Sequence, residues 1–388
     1  MKYLWLIAVF LFSCNIEKTE KKAANEAGAE PNYKYKIAIE PSEKGFRASS
    51  AFSNIRYVQL ETVKDNLVGN IDKLLFHKDR IYVLDIRSAK SLFVFLKDGK
   101  FINAVKSSGR GPEEFMQPDD CIIDSFNETI NILDRDLRKI LVYDLDGNFL
   151  HENAIGLKIH SMAAINKNTR AFYTNRYTNP RGQGDLFYSL YYYESGKQID
   201  AFLPFSKQKL QIRFAPQSVF SSRGEMIYFM PSRKDTVFRV AASGLIPHIY
   251  VDFGEKKRPA SLFSSDQTWE KFHKERNKYC GFIANLQESK RHIYFTFMNN
   301  GYLHAAIYSK ITENILTSYI VGNDLDGAPF GIPIGQVKGE LAGVIEPVEL
   351  LNIFAKVPER FSGEALKVAK SVTEMSNPIL AFYELKDF

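Results

Sequence analysis

The chain has 388 residues, 45% hydrophobic and 25% charged, with 51 Lys+Arg against 45 Asp+Glu. Those fractions exclude disorder over most of the length, and 388 residues is long for one compact core, so the chain is either two or three ordinary domains or a repeat architecture whose units pack on their neighbours. The net charge of +6 is spread without a dense basic block, which excludes a nucleic-acid binder.

Residues 1–13 open with Met1-Lys2, run apolar from Tyr3 to Phe12 and end at Ser13. A short basic start and an apolar stretch of about ten residues is the pattern of a secretory signal peptide, well below the ~20 residues of a membrane-spanning helix. Leu11-Phe12-Ser13-Cys14 resembles the bacterial lipobox, in which a small residue precedes the cut and a cysteine follows it. The resemblance implies that Cys14 becomes a lipidated N-terminus and ties the protein to a membrane. The alternatives are an ordinary signal peptide with an incidental cysteine and a short membrane anchor. Residues 14–32 carry almost nothing to bury and read as a flexible tether, leaving 33–388 as the folded domain. Cutting before Cys14 removes one charged residue, Lys2, so +6 becomes +5. Cys121 and Cys280 remain and can either pair outside the cytoplasm or stay separate as buried thiols.

From Phe52 onward short runs of Ile, Val, Phe and Tyr alternate with Asp-Gly and Asn-Gly turns, and no long amphipathic helix alternates with them. This texture predicts an all-β sandwich, barrel or propeller. An internal repeat decides among these. Ile81-Tyr82-Val83-Leu84-Asp85, Leu92-Phe93-Val94-Phe95, Asp98-Gly99 and Phe101 align with Ile130-Asn131-Ile132-Leu133-Asp134, Ile140-Leu141-Val142-Tyr143, Asp146-Gly147 and Phe149, at an offset of 49 and then 48 residues. A period near 50 built from short strands and one Asp-Gly hairpin is that of a β-propeller blade, which must stack on neighbours to bury both faces. Asp85 and Asp134 hold one place in two blades, where each is expected to cap the turn after its strand by accepting backbone N–H groups.

Between the repeats lies Gly109-Arg110-Gly111-Pro112-Glu113-Glu114-Phe115-Met116-Gln117-Pro118. It resembles the blade-to-blade connection of NHL-type propellers. Its glycines are expected to allow a sharp turn, Phe115 to plug between blades and Pro118 to stiffen the approach to the next strand. A phosphate-cradling loop would need a helix to follow, and a strand follows instead. Farther along, Ser264 to Tyr279 spaces Trp269, Phe272, Arg276 and Tyr279 as on a short amphipathic helix capped by Ser264 or Ser265. A second helix is predicted over 363–374, with Ala365, Leu366, Ala369 and Val372 inward. A last strand follows Asn377-Pro378, and Phe52 to Glu61 is expected to join the C-terminal strands in one blade, closing the ring from both ends.

The lipobox, the stretch Gly109 to Phe115, Asp235–Val240 leading to Val251–Gly254, and the closing Asn377–Leu385 together resemble the six-bladed β-propeller lipoproteins of Bacteroidota. The resemblance implies six four-stranded blades and an export route. It implies no agreed activity.

Catalytic signals are absent. The seven histidines form no His-x-x-x-His pattern, no Cys-x-x-Cys is present, and no cofactor is predicted. Asp144-Leu145-Asp146-Gly147-Asn148 and Asp324-Leu325-Asp326-Gly327 lack the spacing of a calcium loop and read as hairpin turns. Ser206-x-x-Lys209 lacks the companion motifs of serine acyl-enzymes. Arg110, Arg176, Tyr177, Arg181, Trp269 and His273 lie in connections or insertions, where a propeller face binds ligands, and an aromatic-plus-Arg mixture suits a glycan, an anionic group or a peptide. The sequence thus predicts a lipid-anchored binding or scaffold module of the cell envelope for a glycan, peptide or partner protein. The alternative is an NHL- or lactonase-like hydrolase or lyase with calcium or zinc in the central channel, held by side chains from several blades that spacing cannot reveal. A third option is a structural part of an envelope complex, marked by an exposed apolar patch near Trp269.

Overall fold

The computed structural model describes residues 31–42, 44–64, 66–106, 109–179, 186–206, 218–263 and 268–388. The signal peptide, Cys14, most of the tether, Arg181, Ser264 and Ser265, and the residues after Ser206 in the Ser-x-x-Lys match lie outside them. Among the described residues no helix is long and apolar enough to cross a membrane.

The protein is a six-bladed β-propeller of four-stranded antiparallel sheets. Blades 1 to 5 span 73–106, 120–154, 161–206, 220–252 and 281–318; blade 6 combines 333–385 with Phe52–Gln59. Within a blade the chain runs from the axis outward. The innermost strands Lys73–His77, Asp120–Asp124, Ser161–Ala164, Phe220–Arg223, Gly281–Glu288 and Pro333–Val337 adjoin one another around the channel. We call the face carrying the blade-to-blade and second-to-third-strand connections the upper face, and the face carrying the remaining hairpins the lower.

Both faces of each blade are buried, which is why the strands read as continuous apolar runs. In blade 1, Tyr82 and Leu84 pack toward blade 2 against Ile130 and Ile132, while Ile81 and Val83 pack toward blade 6 against Leu380 and Phe382. Phe115 is 1% exposed and fills the core between blades 1 and 2. The Asp-Gly hairpins match in both repeats: Gly99 and Gly147 adopt φ of 91° and 87°, the left-handed conformation that a Cβ disfavours. The ring closes as the sequence predicts, with Phe52–Gln59 antiparallel along Ile379–Leu385.

Several local expectations are corrected. Gly109 and Gly111 are not at positive φ; the left-handed residue of that connection is Glu113, at 65°. The glycines instead leave room for the Glu114 carboxylate, which accepts the Gly111 N–H at 2.8 Å and would lie 2.4 Å from a Cβ on Gly109. The turn at Asp324–Gly327 joins no hairpin; it lies in the connection from blade 5 to blade 6. The helix α1, Trp269–Arg276, is capped by Thr268, whose hydroxyl accepts the Lys271 N–H. Blade 6 carries two helices between its second and third strands, α2 (Pro347–Lys356) and α3 (Gly363–Ser371), where the sequence predicts only the latter. Cys121 and Cys280 are separate buried thiols.

The N-terminal arm has no counterpart in the repeat. Tyr35–Ala38 adds a fifth, parallel strand to the outer edge of blade 4, and Phe46–Arg47 pairs with Val321–Gly322 beyond blade 5. The arm therefore crosses two blades before it completes the sixth, burying Ile37 and Ile39 in the core between blades 4 and 5.

Candidate functional site

The upper face is built on aspartates. Asp85 Oδ2 accepts the N–H groups of Gly69 and Asn70 while Oδ1 accepts that of Ser88; Asp134 likewise takes Met116 through Oδ2 and Leu137 through Oδ1. Each side chain caps its own turn and also grips the incoming connection. The sequence reading anticipated the first role and missed the second. Asp72 and Asp119 answer from the other side, accepting the N–H of Ile86 and Arg135. These four carboxylates hold backbone, so they are scaffold for whatever the face binds.

On this scaffold the predicted residues separate into groups. Tyr177 receives Lys158 at 5.2 Å and Arg135 at 5.9 Å over its ring, at the junction of blades 2 and 3. Arg176, at φ 62°, turns the other way and lies 4.4 Å over Phe205. Arg110 is exposed on the connection between blades 1 and 2, a separate position on the same face. On α1, Phe272 is buried while Trp269 stays 52% exposed and meets the His273 ring edge-on at 4.5 Å.

Two arginines that the sequence reading did not single out tie Arg176 to α1. Arg233 lies 4.7 Å over Phe263, and Arg258 lies 5.7 Å over the same ring and 4.4 Å over Phe282. Phe263 in turn meets Phe272, which stacks on Trp269. Arg258 is 7% exposed, bonds Asp235 at 2.6 Å and donates to the Ser232 carbonyl at 3.0 Å. Gly281 makes this possible, since a Cβ there would stand 2.1 Å from the Arg258 guanidinium. Burial, with the charges of Arg176 and Arg258 added, pushes Arg233 down to about 10, and burial also lowers Arg176. Three guanidiniums and three phenylalanine rings thus meet where blades 3, 4 and 5 join. The sequence signal was a positive charge within each of two connections, which is too common to single out.

The central channel is a cavity of ≈ 1290 Å³ reached by all six innermost strands. Its wall mixes apolar, hydroxyl and amide groups, Ser125, Ser221, Asn285 and Gln287 among them, with charged side chains such as Arg223, Glu288, Arg291 and Glu340. Lys73 within it is paired with Asp120 at 2.7 Å, and the second Asp120 oxygen accepts the Met162 N–H. The innermost strand of blade 5 carries two register shifts, with Phe282 and Asn285 at φ of 58° and 50°. Among the described residues no three His, Cys, Asp or Glu side chains come together as a set that could hold a metal ion.

The comparisons agree with this architecture. A protein of Bacteroides fragilis, BF0058, assigned as exported, superimposes with a TM-score of 0.78 at 19% identity, over 91% of this chain and 100% of that one. A member of the DUF4221 family from Bacteroides vulgatus gives 0.52 at 8% identity, over 86% and 97%. At these identities the likeness is one of fold. No curated protein matches the sequence. The family model described as a domain of unknown function, DUF4934, matches residues 35–384, which take in all six blades and the first strand of the N-terminal arm; the chain belongs to the DUF4934 family.

Proposed function

We propose that this protein is a non-enzymatic, lipid-anchored binding module outside the cytoplasm, whose upper face takes an anionic group carried by a glycan, peptide or protein of the envelope. The observation that carries it is the meeting of Arg176, Arg233 and Arg258 over Phe205, Phe263 and Phe282. Arg176 and Arg233 are half-buried, and burial together with the neighbouring arginine charges holds Arg233 down, a cost that an incoming carboxylate or phosphate would relieve; Arg258, held by Asp235 and Ser232, fixes the rings beside them. Export and anchoring are supported by residues 1–14 and by the assignment of the structurally similar BF0058 as exported.

The test is binding of the purified protein to arrayed acidic and neutral glycans and peptides, with Arg233→Ala beside the wild type. The expected result is an acidic ligand whose affinity falls at least about tenfold in the variant and also weakens as salt rises. An array with no acidic binder, or equal binding by a correctly melting variant, refutes the reading. Membrane attachment is tested separately: Cys14→Ser should release the protein from the membrane fraction.

A further inference from the structure

A second cleft, of ≈ 790 Å³, opens between blades 5 and 6 on the upper face. Its floor is the connection after Ser318, and its walls are the strand pair Phe46–Arg47 with Val321–Gly322 on one side and α2 on the other. We propose that this cleft binds a neutral oligosaccharide. The proposal rests on the reading of the protein as a binding module but uses a different part of the face.

The cleft is rigid before any ligand arrives. Asn323 Oδ1 accepts the N–H groups of Leu325 and Asp326, its Nδ2 donates to Asp326 and to the Ala328 carbonyl, and Asp326 Oδ2 accepts the Tyr57 hydroxyl at 2.7 Å. The turn sits directly on the helix side, because a Cβ on Gly327 would lie 2.3 Å from the Arg360 carbonyl. Asp324 is fixed by the N–H and hydroxyl of Ser49 at 2.9 and 2.6 Å. A wall held this way spends little ordering entropy on a ligand.

Its chemistry is that of sugar recognition. At the rim the rings of Tyr319 and Tyr302 lie 5.2 Å apart while 39% and 61% exposed, beside an exposed Ile320. Paired tyrosine rings in water offer an apolar face with a polar edge, which suits the C–H face of a pyranose. Inside, the side chains of Arg47, Arg360 and Glu349 show no hydrogen bond or ion pair among the described residues, and the Arg47 charge helps to lower Asp324. Guanidinium and carboxylate groups present two coplanar atoms each, the spacing of vicinal hydroxyls. Mixed charge disfavours a strongly charged ligand, since the two guanidiniums of Arg47 and Arg360 stand among the three carboxylates of Asp324, Asp326 and Glu349. An extended peptide would compete with the N-terminal arm, which already pairs with Val321–Gly322. The volume lies within the roughly 300–1,000 Å³ of small-ligand sites.

The experiment is isothermal titration and saturation-transfer NMR of the purified protein with maltohexaose, xylohexaose, mannohexaose and chitohexaose at millimolar concentration. We expect at least one to bind with transfer from tyrosine ring protons. Tyr319→Ala and Arg360→Ala should each weaken it at least about tenfold, and Tyr319→Phe should retain it, because stacking uses the ring and not the hydroxyl. Both sites are exposed, and a thermal melt confirms that each variant folds. Failure of all four sugars to bind, or binding that survives both alanine variants, overturns the proposal. Running the same proteins in the charged-ligand assay separates the two readings: sugar binding without acidic-ligand binding refutes only the arginine site, and the converse refutes only this one.

Discussion

Removing the carboxylates of Asp85 and Asp134 tests whether the upper face hangs on these two side chains. Asp85 is fully buried and accepts three backbone N–H groups at 2.8–2.9 Å; Asp134 is 1% exposed and accepts two, each at 2.8 Å. Alanine leaves those donors beside a small void. A buried donor without an acceptor costs about 1–3 kcal/mol, and donors sharing one void do not add fully, so Asp134→Ala should cost about 2–4 kcal/mol and Asp85→Ala about 3–5 kcal/mol. Asparagine keeps one oxygen and turns an NH₂ toward the other donor, so Asp134→Asn should lie between the alanine variant and the wild type. Urea unfolding of the wild type and the three variants reads the difference, and hydrogen exchange at Gly69, Asn70 and Met116 locates it: protection there should fall before protection in the strands. Alanine variants within about 0.5 kcal/mol of wild type would refute the clamp, since surface changes produce shifts of that size. A Asp85→Ala variant no worse than Asp134→Ala would refute the counting of donors.

Two further outcomes are expected. Phe115→Ala empties a 1%-exposed site between blades 1 and 2 and should cost about 3–5 kcal/mol by the same urea assay; a loss below about 1 kcal/mol would mean that the blades close over the gap. The buried Glu288 carboxyl, which burial alone would raise, is held at about 2 by hydrogen bonds to His248 and Lys310 and by the Lys310 charge. A depressed carboxylate stabilises the fold above its unfolded value of about 4.5, and that contribution is lost as pH falls toward 2. Unfolding measured from pH 6 to 2 should therefore show a loss in the wild type that Glu288→Gln lacks; parallel curves would refute it.

What was legible in the sequence was whatever is repeated or local. The offset between Ile81–Asp85 and Ile130–Asp134 marks blades because each blade must present the same two buried faces to its neighbours. The Asp-Gly pairs mark hairpins because the chain reverses there at positive φ. Phe115 was readable as a plug because one large ring between two glycines and a proline has nowhere else to go. The helix α2 was missed: ten residues beginning Pro-Val-Glu-Leu-Leu resemble a strand as much as a helix, and packing against the blade 5–6 core decides between them. The glycines of the 109–118 connection were noticed for the wrong reason, since what they accommodate is the carboxylate of Glu114, three residues beyond Gly111.

The candidate sites were only half legible. Arg176, Trp269 and His273 were recognisable as loop residues of suitable chemistry, but nothing local ties Arg176 to α1, and Arg233 and Arg258 do so only because blades 3, 4 and 5 meet at an angle. The cleft at Tyr319 depends on Arg47 and Arg360, more than three hundred residues apart in the chain, being brought to one place.

By itself the sequence determined the class of fold, the repeat unit, the turns and the closing of the ring, because strand period, apolar runs and turn residues act over a few neighbouring positions. Only the tertiary structure decided that Tyr35–Ala38 lies parallel along Gly244–Asp252, that an arginine cluster spans three blades, and that a polar cleft with exposed tyrosines opens between blades 5 and 6. Those contacts join residues far apart in the chain, and their pairing is set by the closure of the ring, which no local preference specifies.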